Sequence, residues 1–304
     1  QSTSPTPFIR GQSVIAPEET LGKPAAPRGV MLIDEPMAPH NSWRSGGKAD
    51  RFYLPSDLED LCSFLKHLPG DEPVLWLGLG SNLLVRDGGI RGTVLCTLNR
   101  LKGIEIRSER RIRVESGVPC AHVAKFSAEQ GWVGAEFLAG IPGTMGGALA
   151  MNAGAFGGET WSKVREVTTV DRVGVLKTRS PDDFRVGYRS VQGPPGEWFV
   201  AAELQLDEGD VDAARAQIRA LLARRAATQP TNMPSCGSVF RNPPGDHAAR
   251  LIEASGLKGF CIGNAQVSEK HANFIVNLGH ARSRDIEALI LHVKAEVKRP
   301  VSYT

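Results

Sequence analysis

Along this 304-residue chain apolar positions recur in short bursts whose period keeps changing. Alternation and brief apolar runs predict strands at 52–54, 74–79, 84–86, 93–98, 103–107, 111–115, 167–171, 173–178 and 198–206, the last (WFVAAELQL) being the strongest. Leu58, Leu61, Leu65 and Leu68 fall at helical spacing, with Ser56 as the expected N-cap and Glu59 as its capping-box partner. Pro119 opens a second helix, with Val123, Ala124 and Phe126 inward. Residues 210–226 predict a long amphipathic helix with Ile218, Leu221 and Leu222 on its apolar side and arginines opposite. After Pro230 and Pro234 break the chain, a helix at 247–255, a strand at 273–277 and a helix at 283–298 follow. Short strands interleaved with helices indicate an α+β arrangement, not a regular doubly wound sheet. Residues 1–30 hold Pro5, Pro7, Pro17, Pro24 and Pro27 without any apolar period and read as a loose tail.

Composition changes this picture little. Hydrophobic content of 41% and charge of 23% are ordinary for a soluble globular chain, and the length suggests two or three domains. A net charge of +3 is too small to make nucleic acid the main partner, though it suits an acidic small molecule. The five cysteines are odd in number and form no CxxC, which disfavours a disulfide framework or a zinc site and favours a reducing cytoplasm. No secretion signal is expected, and no metal.

Candidate chemistry concentrates in residues 140–158, GIPGTMGGALAMNAGAFGG, with seven glycines and no charge. Glycines let backbone amides approach a ligand, and successive amides form an anion-holding concavity, to which a helix beginning in the run adds its positive end. A phosphate cradle under a bulky cofactor and a purely structural glycine turn both fit; a membrane span does not, because large apolar side chains are few. A second glycine motif, Gly78-Leu79-Gly80-Ser81-Asn82-Leu83, follows a predicted strand. It fails as a dinucleotide fingerprint, since Leu83 stands at the third glycine position and the continuation reads as strand, not helix.

Together GLGSNLLV, the 140–158 stretch, GYRS at 187–190, CGSVFRNP at 236–243 and AQVSEKHANFIVN at 265–277 resemble the UDP-N-acetylenolpyruvoylglucosamine reductase (MurB) family, in its shorter type. NSWRSGG near residue 41 matches more loosely, and the resemblance covers roughly 38–299. It implies a two-part FAD-binding module of the vanillyl-alcohol-oxidase type (38–98 and 99–206) and a C-terminal α+β substrate-binding domain (207–304), after a loose tail to residue 37. It also implies FAD as cofactor and NADPH as reductant of UDP-N-acetylglucosamine enolpyruvate in peptidoglycan precursor synthesis, by a cytoplasmic monomer that engages neither membrane nor nucleic acid. By the same resemblance Arg189 is the catalytic arginine and Ser238 the proton donor. Gly78, Gly80, Ser81, Asn82, Leu83, Gly140, Ile141, Pro142, Gly143, Gly146, Gly147 and Asn152 hold the cofactor. Tyr188, Arg241, Asn242 and Gln266 contact substrate, with His271 a weaker candidate. On residue type alone, Ser238 is a turn serine and Arg189 a surface arginine.

One departure stands out. The family ends in a further strand that carries a catalytic glutamate; here Pro300-Val301-Ser302-Tyr303-Thr304 follows the last helix, and Glu296 on that helix is not its equivalent. A catalytically impaired flavin-binding homologue, or a different flavin oxidoreductase on the same scaffold, is therefore the alternative reading.

Overall fold

The computed structural model describes residues 26–298. Its first sheet has the order β1-β2-β4-β3, from β1 (Val30–Pro36), β2 (Lys48–Leu54), β3 (Val74–Leu77) and β4 (Ile90–Cys96). β1 is antiparallel to β2, and β4 runs parallel to both its neighbours. The chain in order then gives β5 (Ile104–Ser108), β6 (Arg111–Glu115), β7 (Trp132–Val133), β8 (Gly154–Ala155), β9 (Gly158–Glu159), β10 (Val164–Asp171), β11 (Leu176–Arg179), β12 (Arg185–Gly187), β13 (Ser190–Gln192), β14 (Glu197–Gln205) and β15 (Asp207–Glu208). A second, antiparallel sheet takes the order β11-β10-β14-β6-β5, while β7–β15, β8–β9 and β12–β13 are separate pairs. β6 shows why such strands form: Ile112 and Val114 are fully buried while arginines alternate outward.

Helix α1 (Leu58–His67) lies between these sheets. Its Leu61 and Leu65 share a core with Leu95 of the first sheet and with Val170 and Val200 of the second. Trp76 and Trp198 stack across the same seam at 5.1 Å between centroids. The two sheets are thus one packed body. A second core under the second sheet takes in α2 (Cys120–Glu129) and α3 (Met145–Met151). After α4 (Val211–Thr228) and α5 (Ala248–Ala254), the strands β16 (Cys261–Ile262), β17 (Ala265–Val267) and β18 (Ile275–Asn277) form an antiparallel sheet covered by α6 (Ser283–Lys298). Trp43, from the loop between β1 and β2, is buried in this third core, and its indole N–H donates to the Ile275 carbonyl at 2.8 Å.

Several expectations change. Residues 30–36, taken as tail, form an edge strand; residues 1–25 lie outside the described residues. The N-cap of α1 is Asp57, not Ser56: Asp57 accepts from the Asp60 amide at 2.8 Å, and the buried Asp60 carboxylate accepts from Ser56 N–H. Residues 84–86 form no strand; the segment turns back over the third core, against which Leu84 packs. The apolar side of α4 is largely unburied. Only Ala214 is fully inside; Ile218 packs half-buried on the second core, and Leu222 is exposed, the helix lying on α2 and the 3-10 turn at Glu136–Gly140. This helix therefore extends the second layer, and the third core draws on Cys236 and later residues, with Trp43 added.

Candidate active site

The two glycine motifs meet where the first two sheets face each other. Gly80 has a φ of 70°, and a Cβ there would strike the His40 carbonyl, so no other residue fits the turn. A Cβ on Gly78 would strike the Thr144 hydroxyl, and one on Gly143 would sit 3.5 Å from Ser81 Oγ. The second motif is itself docked along residues 116–120: Met145 and Gly146 N–H donate to Val118 and Ser116 carbonyls, each at 2.8 Å. The expected contribution of the opening turn of α3 is therefore reduced, since these two amides already have acceptors. Gly140 is required by packing, its missing Cβ making room for the Phe156 ring.

Donors do remain between the loops. The backbone N–H groups of Ser81, Asn82 and Leu83, and of Thr144 and Gly147 opposite, donate to no acceptor among the described residues. Thr144 Oγ1 and Ser116 Oγ are buried without a partner. Buried polar groups are rarely left so, and free donors on two adjoining loops have the chemistry of a pyrophosphate cradle. These residues fit FAD. Asn152 does not join them through its side chain. It caps α3 in the left-handed conformation (φ 42°), accepts from Trp161 N–H at 3.2 Å, and donates to Glu159 at 3.0 Å and the Gly187 carbonyl at 3.3 Å. It braces the β12–β13 hairpin instead.

At the tip of that hairpin, Arg189 takes a φ of 50°, a strained conformation for a residue with a Cβ. From there Nη1 donates to the Ser238 carbonyl at 3.1 Å and Nη2 to Asn82 Oδ1 at 3.4 Å. Arg241 Nη2 in turn donates to the Arg189 carbonyl at 2.7 Å. Four residues from three separate segments thus converge on one point. Neither guanidinium has a carboxylate partner among the described residues, so two positive charges face the site with only neutral acceptors around them. The Ser238 hydroxyl, half-buried after the left-handed Gly237, likewise bonds to no described group.

The remaining candidates divide. Tyr188 is exposed beside Arg189. Asn242 accepts from Ala248 N–H at 3.0 Å, at the start of α5, and Gln266 donates to the Gly259 carbonyl at 3.2 Å; neither is bonded to the Arg189–Ser238 cluster. A recess of about 380 Å³ lined by Leu75, Leu83, Ile90 and Glu287 also lies outside it. Sequence reasoning missed Cys236, whose thiol donates to the Gly80 and Leu83 carbonyls at 3.6 Å each. Burial pushes that thiol up to about 11, so it stays protonated and able to donate. It also missed Thr144, Ser116 and Asn273.

With this geometry in hand, likeness to known proteins becomes decisive. The UDP-N-acetylenolpyruvoylglucosamine reductase of Methylococcus capsulatus is 66% identical over 280 residues, covering 92% of each chain. The chain belongs to the UDP-N-acetylenolpyruvoylglucosamine reductase family. The Alkalilimnicola ehrlichii enzyme is 63% identical over 265 residues, 87% of this chain and 89% of its own. Family models for an FAD binding domain and for the reductase C-terminal domain match residues 49–179 and 229–304. The solved reductase (MurB) from Thermus caldophilus superposes with a TM-score of 0.78 at 31% identity, over 88% of this chain and 95% of that one. The α+β FAD-binding module with a C-terminal reductase domain is thus the family's architecture. Among the described residues no helix is long and apolar enough to cross a membrane.

Proposed function

We propose that Arg189 and Ser238 act directly on the substrate of an FAD-dependent reductase that converts UDP-N-acetylglucosamine enolpyruvate to UDP-N-acetylmuramate with NADPH, in peptidoglycan precursor synthesis. The observation that carries this reading is the bond from Arg189 Nη1 to the Ser238 carbonyl, which brings these two residues to one place. Ser81, Asn82, Leu83, Thr144 and Gly147 would hold the FAD pyrophosphate through their free amides. When bound, FAD supplies the hydride that NADPH provides.

The protein's own work is electrostatic and protonic. Reduction of the enolpyruvyl double bond adds hydride to one carbon and a proton to the other, with negative charge building beside the substrate carboxylate. The planar fork of Arg189 matches a carboxylate and acts where that charge develops. Its present acceptors are neutral oxygens, which a carboxylate displaces readily. Ser238, with an uncommitted hydroxyl, delivers the proton. A serine is a weak acid, so its aim and the cation at its own carbonyl matter more than its intrinsic acidity. Arg241, beside Arg189, adds positive charge for the acidic nucleotide; Tyr188 lines the approach. Asn242 and Gln266 have other partners here and are second-rank substrate contacts. We place the enzyme in the cytoplasm as a monomer; all five cysteines are free and four are buried, as a reducing compartment permits. Residues 299–304, which follow the last helix, lie outside the described residues.

Rapid mixing tests the assignment. Ser238→Ala should leave flavin bleaching by NADPH intact and slow reoxidation by the enolpyruvyl nucleotide by about 10²- to 10⁴-fold. Equal losses in both half-reactions would remove the proton-donor role.

A further inference from the structure

Ser238 lies in a segment with almost no structure of its own. Gly237 before it is left-handed with open space around it, and Arg241 and Asn242 after it are exposed. What holds the segment is Asn273, only 4% exposed and just ahead of β18. Its carbonyl accepts from Val239 N–H at 2.9 Å. Its side chain does more: Oδ1 accepts from Phe240 N–H, and Nδ2 donates to the Phe240 carbonyl, both at 2.9 Å. Ser238 itself forms an antiparallel bridge with Phe274.

A carboxamide offers one donor and one acceptor at the spacing of a peptide group, so Asn273 stands in for a peptide unit of a strand that has not yet begun. Through it and the Ser238–Phe274 bridge, residues 238–240 dock beside the residues that lead into β18. We propose that Asn273 is the positioning residue for proton delivery: it fixes the height and rotation of the Ser238 segment, and with them the hydroxyl and the carbonyl that receives Arg189. This rests on the proton-donor reading of Ser238. No side chain but a carboxamide satisfies both Phe240 groups. Aspartate has the same shape but turns a negative oxygen toward the Phe240 carbonyl, and alanine leaves two part-buried backbone groups unpaired.

The test compares Asn273→Asp and Asn273→Ala with wild type, with Ser238→Ala, and with Val293→Ala, a buried substitution in the same core that only lowers stability. Each holoenzyme is followed through both half-reactions, in H₂O and D₂O. The proposal expects both Asn273 variants to be reduced by NADPH within twofold of wild type. They should be reoxidised by the enolpyruvyl nucleotide about tenfold to a hundredfold more slowly, since a small misplacement of a reacting group has effects of this size. The solvent isotope effect on reoxidation should rise, and Val293→Ala should show none of this. Reoxidation within twofold of wild type in the Asn273 variants, with Ser238→Ala slow, would overturn the positioning role alone. Parallel loss in both half-reactions, as stability falls, would do the same. Fast reoxidation in Ser238→Ala removes the proton donor and the positioning role with it. In wild-type protein, where no variant has to fold, the Phe240 amide should exchange with solvent as slowly as those of β17 and β18; rapid exchange would also end the proposal.

Discussion

At the scale of single residues, the site depends on backbone shapes that few side chains allow. Gly80 is the sharpest case, with a left-handed φ of 70° and the His40 carbonyl where a Cβ would go. Gly80→Ala should destabilise the protein by about 1–3 kcal/mol and lower flavin occupancy, read from urea unfolding and from the visible spectrum of the purified protein. Positions of this kind were legible in the sequence, because the requirement is met by one residue type at one place. Arg189 and Ser238 were legible only through the family motifs; as isolated residues they look like turn residues. Cys236 and Asn273 could not be read at all. Their partners at Gly80, Leu83 and Phe240 lie 33 to 156 positions away, and nothing local marks a thiol or a carboxamide as a tie.

At the scale of elements, ion pairs pin the free edge of the second sheet. Glu197, at the start of β14, accepts from Thr169 on β10 at 2.7 Å and from Lys177 and Arg179 on β11 at 3.0 and 2.6 Å. The Arg179 guanidinium, more than the other partners, holds the Glu197 carboxyl down at about 2 against an ordinary 4.5. A lowered folded-state value means that the stabilisation is fully present above about pH 4.5 and is lost as the pH falls towards 2. Unfolding free energies should therefore drop across that window, and Glu197→Gln should flatten the slope while lowering stability at neutral pH. Elements with clean alternation or a full helical stripe were legible: β6 and α6 occupy the expected spans. Residues 84–86 look like a strand too, but they pair with none: Leu84 packs on the distant third core while Val85 enters the first sheet's core. The choice of Asp57 over Ser56 as cap follows from where the Asp60 carboxylate is buried, which no local pattern encodes.

At the scale of the whole molecule, the C-terminal unit is fastened to the loops of the first sheet at several points. Trp43 is buried in the third core, and the Asp87 carboxylate accepts from the Ser283 and Arg284 amides at 3.0 and 3.2 Å, capping α6 from outside its own unit. Ser45 and Ser283 hydroxyls meet beside it at 3.1 Å. Loss of a cap of this kind costs about 0.5–2 kcal/mol, so Asp87→Ala should unfold at lower urea concentration, with the amides of α6 losing protection from exchange before those of the second sheet. The FAD-binding module followed by a C-terminal reductase domain was legible from motif order, but nothing local in NSWRSGG marks its tryptophan as part of a core more than two hundred residues away.

Asn82 belongs to the loop with the free phosphate-side amides, yet its side-chain oxygen receives the guanidinium of Arg189. Whatever orders that loop narrows the angles open to the arginine, and a carboxylate that displaces Asn82 from the arginine frees the loop side chain in return. On the proposed reading, the FAD and substrate compartments are then linked reciprocally, each occupancy changing the other's affinity by a common factor. Loading order becomes a question of supply and not of preference.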